Sequence, residues 1–298
     1  MATEDLIQSI NNSKKKKGKS PLVSIGMPVY NGELFIREAL NSLLHQTFTD
    51  FELIISDNAS IDGTQVICSE FAVKDSRIRY VRQPENQGAI ANFKFVLDES
   101  VGEYFMWAAA DDKWLPTFVE ENLNVLLNNS EIVCSVSQVS FLHEGKIIRQ
   151  SSGTASITGP LSKRLYAFLK SPSDNSRFYG LHRRNVVVNS LSMKHNFHAA
   201  DWYFVIITLL HGSYNCVDKV LMLRKTTNFD QYMRSIKNDN NGYLWFGIPL
   251  LPLTVQLARS LKISVFMNIL PLLIRINLAH LKKYMRYKIR TFGAGVRR

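Results

Sequence analysis

The sequence predicts an α/β protein with a mixed, mainly parallel sheet, helices on both faces of the sheet and a helical C-terminal tail. Two observations predict this class. Short apolar runs that can form strands alternate with helical patterns up to residue 128, and such alternation is typical of right-handed β-α-β units. Residues 241–298 differ from the rest because they are rich in Leu, Ile and Phe and carry only basic charges.

The apolar spacing of the first 128 residues predicts each element in turn. Strands are predicted at residues 22–27, 51–56, 78–81 and 104–108. Helical patterns are predicted at residues 35–44, 64–72, 89–98 and 115–127. Each of these strands is followed by a polar turn and then a helix, so the sheet is expected to be mostly parallel.

The pattern changes after Asn128. Residues 132–141 and 146–149 flank His143, Glu144 and Gly145 and predict a β-hairpin, which would make the sheet mixed. Residues 161–195 alternate helical and polar stretches, and residues 202–210 form an apolar helical pattern that begins just after Asp201. We therefore divide the chain into a polar, flexible segment 1–20, a globular domain 21–240 and a tail 241–298.

The net charge of +11 lies in the tail. Residues 241–298 contain ten of the 36 Lys and Arg and none of the 25 Asp and Glu, so the rest of the chain is close to neutral. No nucleic-acid recognition motif accompanies these charges, and a basic, apolar tail is typical of proteins that lie on an anionic membrane surface. The three cysteines are widely spaced, and they indicate neither a disulfide framework nor a zinc site.

Two alternatives stay open for the tail. Pro249 and Pro252 interrupt the apolar stretch 240–258, so interfacial helices are favoured there over a spanning helix. The alternative is that the tail helices only cover the sheet of the main domain. Lys14 to Lys17 precede no apolar run of the signal-peptide kind, so we expect a cytoplasmic protein, peripheral on the inner face of the cell membrane.

Polar loops follow the predicted parallel strands at the sheet edge where ligands of open α/β sheets bind. Each loop alone is also explained as a turn or a helix cap. The adjacent carboxylates of Asp111 and Asp112 are the sharpest signal, because they repel each other unless a cation or polar partner compensates them. Mg²⁺ or Mn²⁺, shared with substrate phosphates, is the usual partner.

These loops together resemble the inverting glycosyltransferases of family 2. The resemblance is carried by Pro-Val-Tyr-Asn at residues 28–31, Asp-Asn-Ala-Ser-Ile-Asp-Gly-Thr at 57–64, Asn-Gln-Gly at 86–88 and the pair Asp111 and Asp112. It covers residues 22–215 and implies the GT-A fold, a Rossmann-like domain with a nucleotide half (21–128) and an acceptor half (129–240). The implied reaction moves a sugar from a nucleotide-diphosphate donor, with UDP favoured, to an acceptor hydroxyl.

The resemblance also implies roles for particular residues. Those expected to contact the nucleotide are Pro28, Val29, Tyr30, Asp57 and Arg82. Those expected at the donor sugar and diphosphate are Asn86, Gly88, Asp111 and Asp112, with Asp111 as the metal ligand. The chain departs from the family's DxD signature at Ala109, where the first acid is missing, which puts the strength of metal binding in doubt.

Inversion requires a base on the acceptor side, and the resemblance points to Asp201. An N-cap of the helix that follows Asp201 is an equally good explanation from the sequence alone. His182, Arg183 and Trp202 are candidates for contacts on the acceptor side, although His182 is as well explained by a structural role. The expected acceptor is a glycan or a lipid-linked oligosaccharide.

Two other functions compete with this hypothesis. A nucleotidyltransferase would carry a Gly-rich, cationic loop after the first strand, and residues 28–32 lack it. A catalytically silent nucleotide-sugar binding module is suggested by Ala109, whereas the joint presence of Asp111, Asp112 and Asp201 favours an enzyme.

Overall fold

The computed structural model describes residues 20–190, 199–226 and 248–295, with side chains as far as residue 286. Strands and helices alternate in the first half of the chain as predicted. In chain order they are β1 (Val23–Val29), α1 (Ile36–Leu44), β2 (Phe51–Asp57), α2 (Thr64–Lys74), β3 (Ile78–Arg82), α3 (Ala89–Asp98), β4 (Tyr104–Trp107), β5 (Lys113–Trp114) and α4 (Phe118–Asn128). The flexible segment predicted for residues 1–20 lies almost wholly outside the described residues.

The second half of the domain contains longer strands and shorter helices. Its elements are β6 (Ile132–His143), β7 (Lys146–Gln150), α5 (Leu161–Lys170), a 3₁₀ turn (Ser176–Tyr179), β8 (Leu181–Arg183), α6 (Arg184–Ser190), α7 (Ala200–Thr208) and β9 (Ser213–Lys225). The predicted hairpin is confirmed as β6 and β7, which pair antiparallel. The sequence pattern did not predict β9, because Asp218 and Lys219 interrupt its apolar alternation.

The described strands form one mixed sheet in the order β3-β2-β1-β4-β8-β6-β9-β5, with β7 beside β6. Strands β1 to β4 are parallel to one another, and their register aligns Val29 with Asp57 and Asp57 with Arg82. Strand β8 is antiparallel to both β4 and β6, which confirms the mixed sheet. The ends of β1, β2 and β3 therefore meet at one edge, as the topology predicted.

Apolar clusters cover both faces of the sheet. On one face, α1 and α4 pack over the strands through residues such as Leu40 and Leu123. On the other, Trp107 is fully buried and stacks on Phe178 with ring centroids 4.7 Å apart. Trp107 is thus a core residue, as its position within an apolar strand suggested.

Two helices form the described part of the tail: α8 (Leu251–Ser260) and α9 (Ile263–Gly295), the latter continuous through Pro271. Buried residues of both helices, including Leu257 and Leu273, belong to the same apolar cluster as Trp107. One face of the tail therefore covers the main domain, which was one of the two alternatives. By length and composition, the segment Ile263–Arg286 is also long and apolar enough to cross a membrane, with 17% of its most apolar window buried.

Candidate active site

Asp57 lies at the carboxyl end of β2, and its side chain is completely buried. The Tyr80 hydroxyl donates to Oδ2 over 2.8 Å, the Ser60 amide donates to Oδ1 over 2.8 Å, and the Arg82 guanidinium approaches Oδ2 at 3.3 Å. All three donors come from the loop after β2 or from the neighbouring strand β3. Parallel pairing of β2 and β3 thus fixes both oxygens of this carboxylate.

The loops after β1 and β2 lock together through short hydrogen bonds. The Asn31 amide donates to Ser60 Oγ over 2.9 Å, and the Ile61 amide donates back to Asn31 Oδ1 over 2.9 Å. The Gly32 amide donates to Thr64 Oγ1 over 2.8 Å. Pro28 and Val29 are buried just before this junction, whereas Tyr30 is 47% exposed and presents its ring at the edge.

The loop that leads into α3 is held by two asparagines. Asn58 Nδ2 donates to Asn86 Oδ1 over 2.8 Å, while Asn58 Oδ1 accepts from the Gln87 amide over 3.0 Å. Asn86 Oδ1 also accepts from the Gly88 amide, and Gly88 has a φ of 84°, which favours glycine. The structure therefore brings Asn86 and Gly88 beside the loop of Asp57, at the edge where the sequence placed them.

Asp111 and Asp112 have opposite environments. Asp112 is 2% exposed, and its carboxylate accepts from Arg224 Nε over 3.1 Å and from the Lys225 amide over 3.3 Å. Burial raises the pKa of Asp112 to about 7; Arg224 opposes this increase and the charge of Asp111 adds to it. Asp111 is exposed, and within residues 20–190, 199–226 and 248–295 no hydrogen bond or ion pair engages its carboxylate.

Asp201 lies in the first turn of α7, one residue after the helix begins at Ala200. The N-cap is Ala199, with a φ of 66°, so Asp201 does not occupy the N-cap position. Asn175 Nδ2 donates to Asp201 Oδ2 over 2.9 Å. Burial raises the pKa of the carboxyl, against the opposing effects of Asn175 and two backbone amides. A raised pKa suits a group that must accept a proton near neutral pH.

Tyr179 and Arg224 stand where the two halves of the domain meet. The Arg224 guanidinium lies 4.5 Å from the centroid of the Tyr179 ring, and its Nη1 donates to Ser176 Oγ over 3.0 Å. Burial raises the pKa of the Tyr179 hydroxyl to about 12. The charged groups that also act on this hydroxyl are Arg224, Asp112, Asp111 and Asp201. Arg224 therefore contacts both Tyr179 and Asp112, and the charges of all three predicted carboxylates act on the Tyr179 hydroxyl.

The side chains at this edge of the sheet offer few ligands to a divalent cation. Among the described residues, no group of three or more His, Cys, Asp or Glu is arranged to hold a metal. Asp112 is committed to Arg224, which leaves Asp111 as the free carboxylate at this edge. These residues fit a cation held by one carboxylate together with phosphate oxygens and water, an arrangement that Mg²⁺ commonly adopts.

A pocket of about 320 Å³ opens beside Asp111. Its walls come from the loop after β4, the β6–β7 hairpin and the end of β9, and its charged or titratable lining residues are Glu38, Asp111, Lys113, His143, Glu144 and Lys225. The Lys225 ammonium also lies 2.9 Å from the centroid of the Phe35 ring. The lining is mixed in charge and includes the apolar residues Leu142 and Leu223.

Two expected acceptor contacts are corrected by the structure. His182 is completely buried, with its Nε2 3.3 Å from the Phe178 carbonyl, and burial lowers its pKa to about 4. It is a core histidine. Arg183 pairs with Tyr104, the first residue of β4, and donates to the carbonyls of Ile132 and Leu126. It therefore lies at the opposite edge of the sheet from Asp111. Trp202 is partly exposed, and its ring lies 5.6 Å from that of His280 in α9.

Three residues of the site were not predicted: Tyr80, Asn175 and Arg224. Arg224 is 112 residues from Asp112, and nothing in its local sequence distinguishes it from an ordinary basic residue. In the sequence, Tyr80 is distinguished only as an apolar residue of a predicted strand. Pairing between β5 and β9, which aligns Lys113 with Leu223, is what brings Arg224 to Asp112.

The comparisons with known proteins agree with this architecture. The profile described as glycosyl transferase family 2 matches residues 24–191, more than half of the chain. The chain belongs to this family.

The relatives found by sequence match only part of their own length. An uncharacterized glycosyltransferase of Rickettsia typhi is 36% identical over 121 residues, covering 40% of this chain and 37% of the relative. TuaG of Bacillus subtilis, named as a candidate glycosyltransferase of teichuronic acid biosynthesis, is 31% identical over 147 residues, covering 49% and 53%. The chain thus matches between about a third and a half of these relatives.

Two solved structures share the fold. TarS residues 1–349 of S. aureus, in complex with UDP-GlcNAc, has a TM-score of 0.56 at 17% identity, covering 87% of this chain and 80% of that one. The mannosyltransferase PcManGT of Pyrobaculum calidifontis, in complex with GDP-Man and Mn²⁺, has a TM-score of 0.57 at 15% identity, covering 99% and 90%. At such identities the likeness shows the fold alone, which is the predicted GT-A fold.

Proposed function

We propose that this chain transfers a sugar from a nucleotide-diphosphate donor, with UDP favoured, to an acceptor hydroxyl with inversion at the anomeric carbon. The observation that carries the proposal is that Asp112 is buried against Arg224 beside the exposed Asp111, while Asp201 is held by Asn175. An exposed carboxylate for a cation and a partly buried carboxylate with a raised pKa are the two acidic groups that this chemistry needs.

The nucleotide is proposed to bind across the ends of β1, β2 and β3. Pro28 and Val29 form the apolar floor, and the exposed ring of Tyr30 is available to pack on the base. Asp57 is the proposed partner of the base edge. A base that bonds to Asp57 would replace the Arg82 contact, which at 3.3 Å is the longest contact of this carboxylate, and would free Arg82 to meet the nucleotide.

The diphosphate and the donor sugar are proposed to lie between Asn86, Gly88 and the loop after β4. Asp111 would hold a divalent cation, which supplies positive charge to the departing diphosphate when bound. Asp112, fixed by Arg224 and the Lys225 amide, would accept hydrogen bonds from sugar hydroxyls. Arg224 keeps a positive charge close to the position where negative charge develops.

Asp201 is the proposed base. Its carboxylate takes the proton of the acceptor hydroxyl while the hydroxyl oxygen bonds to the anomeric carbon, and the bond from that carbon to the diphosphate breaks on the opposite face. Asn175 holds one carboxylate oxygen and so orients the carboxylate for the acceptor. Trp202 follows Asp201 directly and is partly exposed, so it is the proposed acceptor-side contact.

A glycan or lipid-linked oligosaccharide destined for a cell-surface polysaccharide is the proposed acceptor. The name of TuaG refers to such a polymer, and the basic, apolar tail favours an acceptor at the cytoplasmic face of a membrane. We accordingly propose that the chain works as a peripheral protein on the inner face of the cell membrane.

Calorimetric titration of the protein with UDP, dTDP and GDP, each with and without Mn²⁺, tests the donor site. We expect one nucleotide to bind in a metal-dependent way, and this binding to be lost in Asp111→Ala but retained in Asp98→Ala, an exposed carboxylate on α3. If none of the three nucleotides binds, the acid that is missing at Ala109 matters for donor binding. A catalytically silent module then becomes the better hypothesis. Turnover with a panel of nucleotide sugars would then separate the two functions.

A further inference from the structure

Helix α9 has two apolar faces, and in the part of the chain that the structure describes, residues 20–190, 199–226 and 248–286, only one of them is packed against the domain. Ile269, Leu273 and Ile276 are 3%, 2% and 8% exposed and belong to the cluster that covers one face of the sheet. Their spacing of three and four residues places them on one side of the helix. This inner face packs against α5 and α8, so α9 is held to the domain through it.

The outer face carries a stripe of exposed apolar side chains. Its members and their exposed fractions are Ile263 (75%), Met267 (53%), Ile274 (52%), Leu278 (54%) and Met285 (50%). These positions are four or seven residues apart, so they line one side of the helix over more than twenty residues. An apolar stripe of this length on a helix fixed by its other face requires a partner surface.

Exposed cations lie next to this stripe. At about 100° per residue, Arg275, Lys282 and Arg286 project along one flank of the stripe, and all three are exposed. Residues 241–298 contain no acidic residue to pair with them. The partner surface must therefore accept apolar side chains in its interior and positive charge at its rim.

We propose that the outer face of α9 lies in the plane of an anionic lipid membrane, with the stripe in the acyl boundary and the cations at the headgroups. This geometry is typical of interfacial amphipathic helices. A spanning orientation would expose Arg275, Lys282 and Lys283 to hydrocarbon and remove the inner face from the domain. A coiled coil between two copies would bring together two flanks that both lack acids to neutralise them.

This surface lies close to the acceptor end of the site. The His280 ring of α9 contacts the ring of Trp202, the residue that follows Asp201. The membrane would thus be separated from the proposed base by one helix, about 10 Å in diameter. This part of the inference rests on the proposed function, because it makes an acceptor anchored in the same membrane the natural substrate class.

Flotation of the full chain with lipid vesicles tests the proposal. We expect binding to phosphatidylcholine vesicles containing 30% phosphatidylglycerol, little binding to phosphatidylcholine alone, and a loss of binding at high salt. The stripe variant Ile274→Ser/Leu278→Ser should reduce partitioning about tenfold or more. The charge variant Arg275→Ser/Lys282→Ser/Arg286→Ser should reduce it about a hundredfold, because each cation near an anionic surface contributes roughly a fivefold factor.

Two controls keep the test decisive. Val66→Ser/Val73→Ser removes two exposed apolar side chains of α2 and should leave flotation unchanged. Equal flotation of the stripe variant and the wild type would overturn the proposal, as would a wild-type dimer in light scattering that the stripe variant converts to a monomer. The stripe variant should bind UDP with the affinity of the wild type, and a loss of this binding would reveal a misfolded variant. Normal flotation without any nucleotide binding would count against the proposed function alone.

Discussion

The carboxylate of Asp57 and the carboxylates whose partners come from the acceptor half are held in different ways. Asp57 is completely buried and receives hydrogen bonds from residues of its own loop and of the adjacent strand. Asp112 and Asp201 have raised pKa values, and their partners Arg224 and Asn175 are 112 and 26 residues distant in the chain. The first arrangement fixes a negative charge for binding. The second keeps carboxyls ready to exchange a proton or a partner.

The difference follows from how the two regions are built. Parallel strands place successive loops side by side, so the nucleotide edge satisfies its polar groups with near neighbours. The acceptor edge is assembled from a 3₁₀ turn, a helix start and the end of β9, which come together only in the folded protein. Its charges are therefore partly desolvated before a substrate binds, which suits groups that act in a reaction.

The largest effect is expected for Asp201→Asn, which removes the proposed base but keeps the shape of the side chain. We expect kcat/KM for sugar transfer to fall by about 10²- to 10⁴-fold, the range typical of a lost general base. Donor affinity in calorimetry should stay within about twofold. Asp98→Asn, an exposed carboxylate on α3, is the matched control. A full rate in Asp201→Asn would assign the base to another residue.

The variant Arg224→Met would break the long-range pair between Arg224 of the acceptor half and Asp112 of the nucleotide half. Asp112 is 3% exposed and Arg224 is 17% exposed at their side chains, so removing the cation should cost about 3 kcal/mol of unfolding free energy at pH 8. Without Arg224 the raised pKa of Asp112 rises further, and the folded state then favours the protonated carboxyl. The loss should therefore shrink as the pH is lowered from 8 to 5.

Denaturant melts of Arg224→Met at pH 5 and pH 8 would measure this effect. Arg149→Met is the control, because Arg149 pairs with Asp174 but is 47% exposed and should cost less than about 1 kcal/mol. An equal loss at both pH values in Arg224→Met would show that Arg224 supports the fold by packing rather than by its charge.

Tyr80→Phe would weaken the nucleotide edge by removing one donor to Asp57. A hydrogen bond to a buried charged group contributes about 1.5–3 kcal/mol, so stability should fall within this range, and UDP affinity should decrease because Asp57 is less firmly oriented. Thermal melts and calorimetry measure the two effects, with the half-exposed Tyr166→Phe as the control. Unchanged values for both would mean that Asp57 is adequately fixed by Ser60 and Arg82.

The smallest effect is expected for Asn175→Gly. Asn175 has a φ of 49°, so glycine keeps the backbone conformation while removing the amide that lowers the pKa of Asp201. The acidic limb of the kcat/KM profile should move to higher pH, because Asp201 must be ionised to act as a base. Asn124→Ala on α4 should leave the profile in place. If the acidic limb of the profile does not move in Asn175→Gly, Asp201 is not the group that titrates in it.

The same contrast explains what the sequence could predict. Strands β1 to β4, their loops and the meeting of Asp57, Asn86 and Asp111 at one edge follow from local patterns and from parallel topology. Arg224 could not be predicted, since its role depends on the pairing of β5 with β9. His182 and Arg183 were expected on the acceptor side of the site. The antiparallel course of β8 instead directs Arg183 to the far edge and buries His182.

The tail shows the limit of composition as a guide. Its basic, apolar character predicted a membrane surface, whereas the structure shows that one face, including Leu257 and Leu273, packs on the domain. Composition could not separate the two faces of α9, because both are apolar and the difference lies in which one the domain covers.

The stereochemistry of transfer reports whether the reaction is a single displacement. Proton NMR of the glycoside that forms on the acceptor hydroxyl, when the protein uses a UDP-α-sugar, would give the anomeric configuration of the new bond. A single displacement gives the β-anomer as the first product, and this product should be lost in Asp201→Asn. The α-anomer as the first product would contradict a single displacement with Asp201 as base.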